Sequence, residues 1–181
     1  MHKQGMYHRR SIRLKNYDYG QPGAYFVTIC TRDRACVLGN VVDGAMVLSR
    51  AGALVHAEWL RLVERFSRLS QDVFVVIPNH LHGIIACEGA ELHQGAMNRA
   101  PTVGEIVRAF KAAAARRIRQ CGMGTFAWQR NYYEHVVRDE RTLSSIREYI
   151  VNNSQQWALD RENPDCAAKI ATECKEEKWR V

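Results

Sequence analysis

The chain predicts an antiparallel α+β sandwich, a sheet of neighbouring strands with helices laid mainly over one face. Three observations lead to that class. Short runs rich in β-branched and aromatic residues follow one another across tight turns. Longer stretches carry apolar residues at three- and four-residue spacing. Taken in order the elements read strand, hairpin, helix, strand, strand, helix, strand, helix, and 181 residues are enough for one domain with a substantial core.

The first strand is AYFVTIC, residues 24–30, after the Gln-Pro-Gly break. ACVLG and AMVLS, separated by Asn40 to Gly44, predict a short hairpin. From Ser49 to Phe66 the apolar positions Ala53, Leu54, Ala57, Leu60, Val63 and Phe66 form one face of a helix. DVFVVIP and LHGIIAC are two strands around Pro78-Asn79, a turn-favouring pair, and the polar stretch Glu88 to Ala100 is a loop. Thr102 with Glu105 three residues on has capping-box spacing. The helix it opens buries Val103, Val107, Phe110, Ala114 and Ile118, and carries Arg108, Lys111, Arg116 and Arg119 along an outer stripe. The second half of FAWQRNYYEHVV is a strand, and Asp139 with Thr142 opens a last helix running to about Trp157. Residues 161–181, charged and Cys-containing, form a tail appended to a single domain over 1–160.

Composition narrows the class of function. No apolar run approaches the eighteen or so residues a membrane span needs, and MHKQGMYHRR lacks the apolar core of a signal peptide, so the expected compartment is the cytoplasm. The six cysteines form no C-x-x-C pair and are expected as free thiols, several of them core filler. A net charge of +7 favours a polyanionic partner. Residues 1–15 hold Lys3, Arg9, Arg10, Arg13 and Lys15 with no acid, which is either a solvated leader or a basic arm for phosphates. The stripe Arg108, Lys111, Arg116 and Arg119 poses the same choice.

Two positions carry candidate chemistry. His80 and His82 project on one side of a strand with Leu81 on the other. Two imidazoles so placed can ligate one divalent ion, or they are polar residues at a strand start with hydrogen-bonded partners. On the last helix the apolar seam Leu143, Ile146, Ile150, Trp157 passes through Asn153, and a buried amide without partners costs about 1–3 kcal/mol. A metal ion is one partner. Tyr149 stands one turn before Asn153 on the same face; a tyrosine there is either functional or a core edge with a wet hydroxyl.

These motifs, PNHLHGI at 78–84 after DVFVVI, TVGEIVRAFKAAAARRIR, WQRNYYEHVVRDE and IREYIVNN, resemble in order and spacing those of the REP-associated tyrosine transposases, within the single-tyrosine HUH (IS200-like) superfamily. The resemblance runs from about His8 to Trp157. It implies a ferredoxin-like, RRM-like sheet presenting His80 and His82, which with Asn153 would hold Mg²⁺ or Mn²⁺. It also implies that Tyr149 is the nucleophile. The substrate it implies is single-stranded DNA folded as a palindromic hairpin, cleaved and rejoined through a 5′-phosphotyrosine. The basic arm through Arg13 and the Arg108 to Arg119 stripe would then grip the DNA, and Trp128, Tyr132 and Tyr133 would stack on bases or fill the core. Relatives often have proline after the asparagine. Here Ser154 follows, so the helix can run on and Asn152 or Gln156 can compete as ligand. Whether the chain acts as monomer or homodimer stays open. So do two rivals: a hairpin-binding protein of the same fold without catalysis, and a metal-independent phosphodiesterase using His80 and His82 as acid and base.

Overall fold

A computed structural model describes residues 22–88, 101–160 and 163–164. The basic arm, most of the 88–100 loop and nearly all of the tail lie outside the described residues. A four-stranded antiparallel sheet holds β1 (Gly23–Cys30), β4 (Leu69–Ile77), β5 (His80–Cys87) and β6 (Tyr133–Val137) in the spatial order β4-β5-β1-β6. The hairpin β2 (Gly39–Val42) and β3 (Ala45–Leu48) stands apart from it. Helix α1 (Arg50–Leu60) follows β3, with a single turn α2 (Leu62–Arg65) behind it. Helix α3 (Val103–Gln120) links β5 to β6, and α4 (Glu140–Asn152) follows β6. Each crossover, through α1 and through α3, spans one intervening strand, which is the ferredoxin-like βαββαβ arrangement that the resemblance implies.

The period of two along β1 divides the molecule. Tyr25, Val27 and Ile29 are fully buried in one core with Leu81 and Ile85 of β5, Val55 and Trp59 of α1, and Ile106 and Phe110 of α3. Phe26, Thr28 and Cys30 therefore face the other way, beside their register partners Ile84, His82 and His80. Helix α4 covers that second face. Two long helices thus share one side of the sheet and the third takes the histidine side.

Glu58 of α1, nearly inaccessible, joins the two core helices by accepting from Arg117 of α3 at 2.5 Å and from Arg61 at 3.2 Å, with Arg65 3.5 Å away. Burial alone would raise its carboxyl pKa. The bonds from Arg117 and Arg61 and the charge of Arg65 outweigh that and hold it below the ordinary value.

Helix α4 is anchored from the edge strand. Register slips by one residue in β4 between Gln71 and Phe74, so both turn to the α1 side, where Gln71 donates to the Trp59 carbonyl and Phe74 packs on Trp59. Asp72 is left to the α4 side. Its Oδ2 accepts from Arg147 Nε at 2.9 Å and Nη2 at 2.6 Å, fixing the helix two residues before Tyr149.

Both predicted caps form: Thr102 and Glu105 make the reciprocal capping box, and Asp139 Oδ1 accepts from Thr142 N at 2.8 Å. Three boundaries differ from expectation. Asp43 and Gly44 take positive φ of 50° and 76°, closing a two-residue turn that draws Asn40 to Val42 into β2. The helix expected from Ser49 to Phe66 breaks at Arg61, whose ψ flattens to −6°. The last helix ends at Asn152 rather than near Trp157, because the chain tightens into i→i+3 turns through Gln156 and Leu159.

Candidate active site

Pro78-Asn79 turns β4 into β5 and delivers His80 and His82 to the α4 side of a central strand, where both are buried. Their Nε2 atoms are 2.7 Å apart. His80 Nδ1 lies 2.8 Å from Asn79 Oδ1, and Asn79 Nδ2 donates to the Arg34 carbonyl at 3.1 Å. That second bond fixes which end of the amide faces His80. An amide oxygen only accepts, so the network assigns the His80 proton to Nδ1 and leaves its Nε2 lone pair bare. The Arg34 carbonyl is presented by a strained turn in which Asp33 and Arg34 both have positive φ, 55° and 54°.

His82 is held by its strand partner, its Nδ1 lying 2.8 Å from Thr28 Oγ1. A hydroxyl donates or accepts by rotating, so Thr28 supports either His82 tautomer. With Nδ1 protonated on both rings, two Nε2 lone pairs converge, an arrangement that repels unless a cation lies between them. Phe26 stacks on His82 with ring centroids 5.3 Å apart. Burial foremost lowers the pKa of both imidazoles to about 3, helped at His80 by the Arg34 charge and at His82 by His80. Both are therefore neutral near pH 7, the state that ligates metals.

This sets a pH dependence. In EDTA, the unfolded chain binds protons at these two histidines near pH 6.5 while the folded chain does not until about 3. Across that window stability falls as pH falls; above it these groups add no slope. By pH 5 the loss is on the order of 2 kcal/mol per imidazole. Melting curves from pH 7 to 5 check this: a flat wild-type profile, or an unchanged slope in His80→Asn, contradicts it.

Tyr149 comes from the third turn of α4, and its hydroxyl is 3.2 Å from His82 Nε2 within the same chain. The ring is 41% exposed, so the hydroxyl stands at the boundary between the buried histidines and an open groove of about 670 Å³. Arg34, Gln129, Tyr133, Asn153, Gln156 and Asp160 also border that groove. Asn153, 1% exposed, caps α4; its Nδ2 lies 3.4 Å from Asp160 Oδ2, and its Oδ1 is buried with no partner among the described residues. Flipping the amide would set its oxygen against the carboxylate, so the orphaned acceptor is real in charge terms. Two neutral imidazoles whose Nε2 atoms converge, an unused amide oxygen and a carboxylate are a donor set that fits a divalent cation.

The structure brings together His80, His82, Tyr149 and Asn153, four residues that the sequence predicts, and adds Thr28, Asn79 and Asp160. Sheet register could have found Thr28. Asp160 had no signal, since it is the last residue before the charged tail and belongs to no sequence motif. Gln156 borders the groove, and the ring of Trp157, expected as a continuation of the helical seam, instead lies 6.2 Å from that of His80.

The basic stripe is not at this site. Helix α3 lies across the opposite face of the sheet, and Lys111 Nζ is spent on the carbonyls of Gln129, Arg130 and Asn131 at 2.5, 3.3 and 3.2 Å. Arg119 donates to the Phe126 carbonyl at 3.0 Å. Arg108 and Arg116 are exposed on that far face. Arg9, Arg10, Arg13 and Lys15 lie outside the described residues. Of the aromatics, Trp128 is core, Tyr132 donates to Glu134 Oε2 at 2.6 Å, and Tyr133 is 53% exposed on the groove. Of the described cysteines, Cys87 and Cys121 are free thiols, and burial pushes Cys87 up to about 11.

No family profile matches the chain. An uncharacterized protein of Haemophilus influenzae is 40% identical over 171 residues, spanning 87% of this chain and 94% of its own. Among solved structures, a REP-associated tyrosine transposase bound to a REP hairpin aligns with a TM-score of 0.53 at 19% identity, covering 78% of this chain and 72% of that one. The two share a fold. No helix among the described residues is long and apolar enough to cross a membrane.

Proposed function

We propose that this chain, which belongs to the same family as that Haemophilus influenzae protein, is a metal-dependent tyrosine transposase that cleaves and rejoins single-stranded hairpin DNA. One observation carries the reading: a tyrosine hydroxyl 3.2 Å from a buried, neutral histidine pair, all within one polypeptide. The shared fold with a hairpin-bound transposase and the net charge of +7 support it.

In this reading His80, His82 and Asn153 would hold Mg²⁺ or Mn²⁺, which would supply Lewis acidity at the scissile phosphate. Tyr149 Oη attacks phosphorus; the Oη–P bond forms and the P–O3′ bond breaks. The phenol loses its proton and the 3′ oxygen gains one, leaving a 5′-phosphotyrosine and a free 3′-hydroxyl. The phosphodiester energy stays in the tyrosyl ester, so a 3′-hydroxyl can reverse the step without a nucleotide cofactor. A phenol with a pKa near 10 is a poor nucleophile, which is why the chemistry needs an activated phosphorus. Asn79 and Thr28 orient the two imidazoles, and the Arg147–Asp72 pair holds the helix that carries Tyr149. That one chain carries both histidines and the tyrosine within hydrogen-bond distance supports cleavage in cis. Tyr133 is the stacking surface nearest the groove. Arg108 and Arg116 are phosphate contacts away from the cut, and Arg9, Arg10, Arg13 and Lys15 of the basic arm contact phosphates as well.

The test is cleavage of single-stranded hairpin oligonucleotides with mass detection of the protein. The expected result with Mg²⁺ or Mn²⁺ is a fragment ending in a 3′-hydroxyl and a protein heavier by the 5′-phosphoryl strand; EDTA abolishes both. Cleavage that persists in EDTA, or hairpin binding with no adduct under any metal, overturns the proposal. The second outcome would identify a hairpin-binding protein of this fold.

A further inference from the structure

We infer that Asp160 is an anionic ligand of the same metal centre, giving the chain a grip on the ion before DNA arrives; this rests on the metal-dependent reading above. The ligand atoms of His80, His82 and Asp160 all lie within 4.8 Å of one another. Donors about 2.1 Å from a single Mg²⁺ are at most about 4.2 Å apart, so the loosest pair needs to close by only about half an ångström. Asn153 links to this group through its Nδ2, 3.4 Å from Asp160 Oδ2, and its buried Oδ1 is the unpartnered acceptor on the same groove.

Charge is the reason the carboxylate matters. Two neutral imidazoles and an amide bring no formal charge to a doubly charged ion that must shed water to enter. Hard cations are held by oxygen anions, and Asp160 is the acid that the tight turns after α4 carry to the histidines. Those turns are themselves secured: Asn163 Nδ2 donates to the Trp157 carbonyl at 3.0 Å, and Asn163 N donates to the Asp160 carbonyl at 3.0 Å. His80, His82, Asn153 and Asp160 would then supply four donors to the ion, one of them anionic.

The experiment is Mn²⁺ binding to the full chain without DNA, followed by loss of the free-ion paramagnetic resonance signal. The wild type is expected to bind, His80→Ala to lose binding, and Asp160→Asn to bind at least about tenfold more weakly with its melting temperature in EDTA unchanged. Asp160→Cys serves as the second variant: it should weaken Mn²⁺ and strengthen Cd²⁺ relative to the wild type, a change of preference that a purely structural aspartate would not produce. If His80→Ala loses Mn²⁺ while Asp160→Asn and Asp160→Cys bind as the wild type does, the inference about Asp160 falls alone. If the wild type and His80→Ala both fail to bind, the metal reading of the whole site falls with it.

Discussion

Tyr149→Phe abolishes the covalent protein–DNA adduct, lowering cleavage at least about a thousandfold, and leaves hairpin affinity within about twofold. The ring remains, so its edge contact with Phe26 at 6.2 Å and its packing on His82 at 5.2 Å survive. Only the hydroxyl goes. It sits on a residue 41% exposed, so its removal changes stability by no more than about 0.5 kcal/mol. The groove holds a competitor in Tyr133, which is more exposed. Distance decides between them, because Tyr149 is the one whose oxygen touches a histidine nitrogen. Denaturing gels with labelled hairpin, followed by peptide mass mapping, measure the adduct directly. An adduct that survives in Tyr149→Phe, or maps to Tyr133 in the wild type, removes Tyr149 from the reaction.

The same geometry argues against a phosphodiesterase using the histidines as acid and base. An acid must be protonated at working pH, and burial pulls both imidazoles to about 3. Neither holds a transferable proton near neutrality as a cation. The pair suits lone-pair donation instead.

Much of the fold was legible because local signals and long-range ones agreed. The capping box at Thr102, the cap at Asp139 and the alternation along 24–30 are each a few residues long, and each matches the tertiary structure. His-x-His was legible as a same-face pair for the same reason. What stayed hidden depends on contacts between distant segments. The face that α4 would cover could not be read from α4, and that choice puts the α3 stripe across the sheet from the histidines. Lys111 shows the cost: its position on an outer helical face was right, yet its ammonium closes the 129–131 loop. Asp160 was hidden because the change from α-helical to i→i+3 turns, which rotates it toward the histidines, has no proline or glycine to announce it.

Gly83→Ala tests how that buried pair is held, and the expected result is a loss of about 2–3 kcal/mol with a fall in melting temperature of roughly 5–10 °C. Gly83 lies between His82 and Ile84 on the core side of β5, and a Cβ there would sit 2.5 Å from Trp59 Cζ2 and 3.1 Å from Cε2. The indole cannot swing away. It is fully buried and meets Phe110 edge-on with centroids 5.3 Å apart and Phe74 at 5.9 Å. The methyl group must therefore push β5 toward α4 or α1 away from the sheet. Pushing the strand moves the backbone on which His82 keeps its 2.8 Å contact with Thr28, so adduct formation should fall beyond what the lost folded fraction accounts for. Trp59→Phe removes the offending ring while costing stability itself by leaving space. In Gly83→Ala/Trp59→Phe the two losses should be less than additive by at least about 1 kcal/mol, and adduct formation should partly return. Strict additivity would mean that the indole does not set the height of this strand.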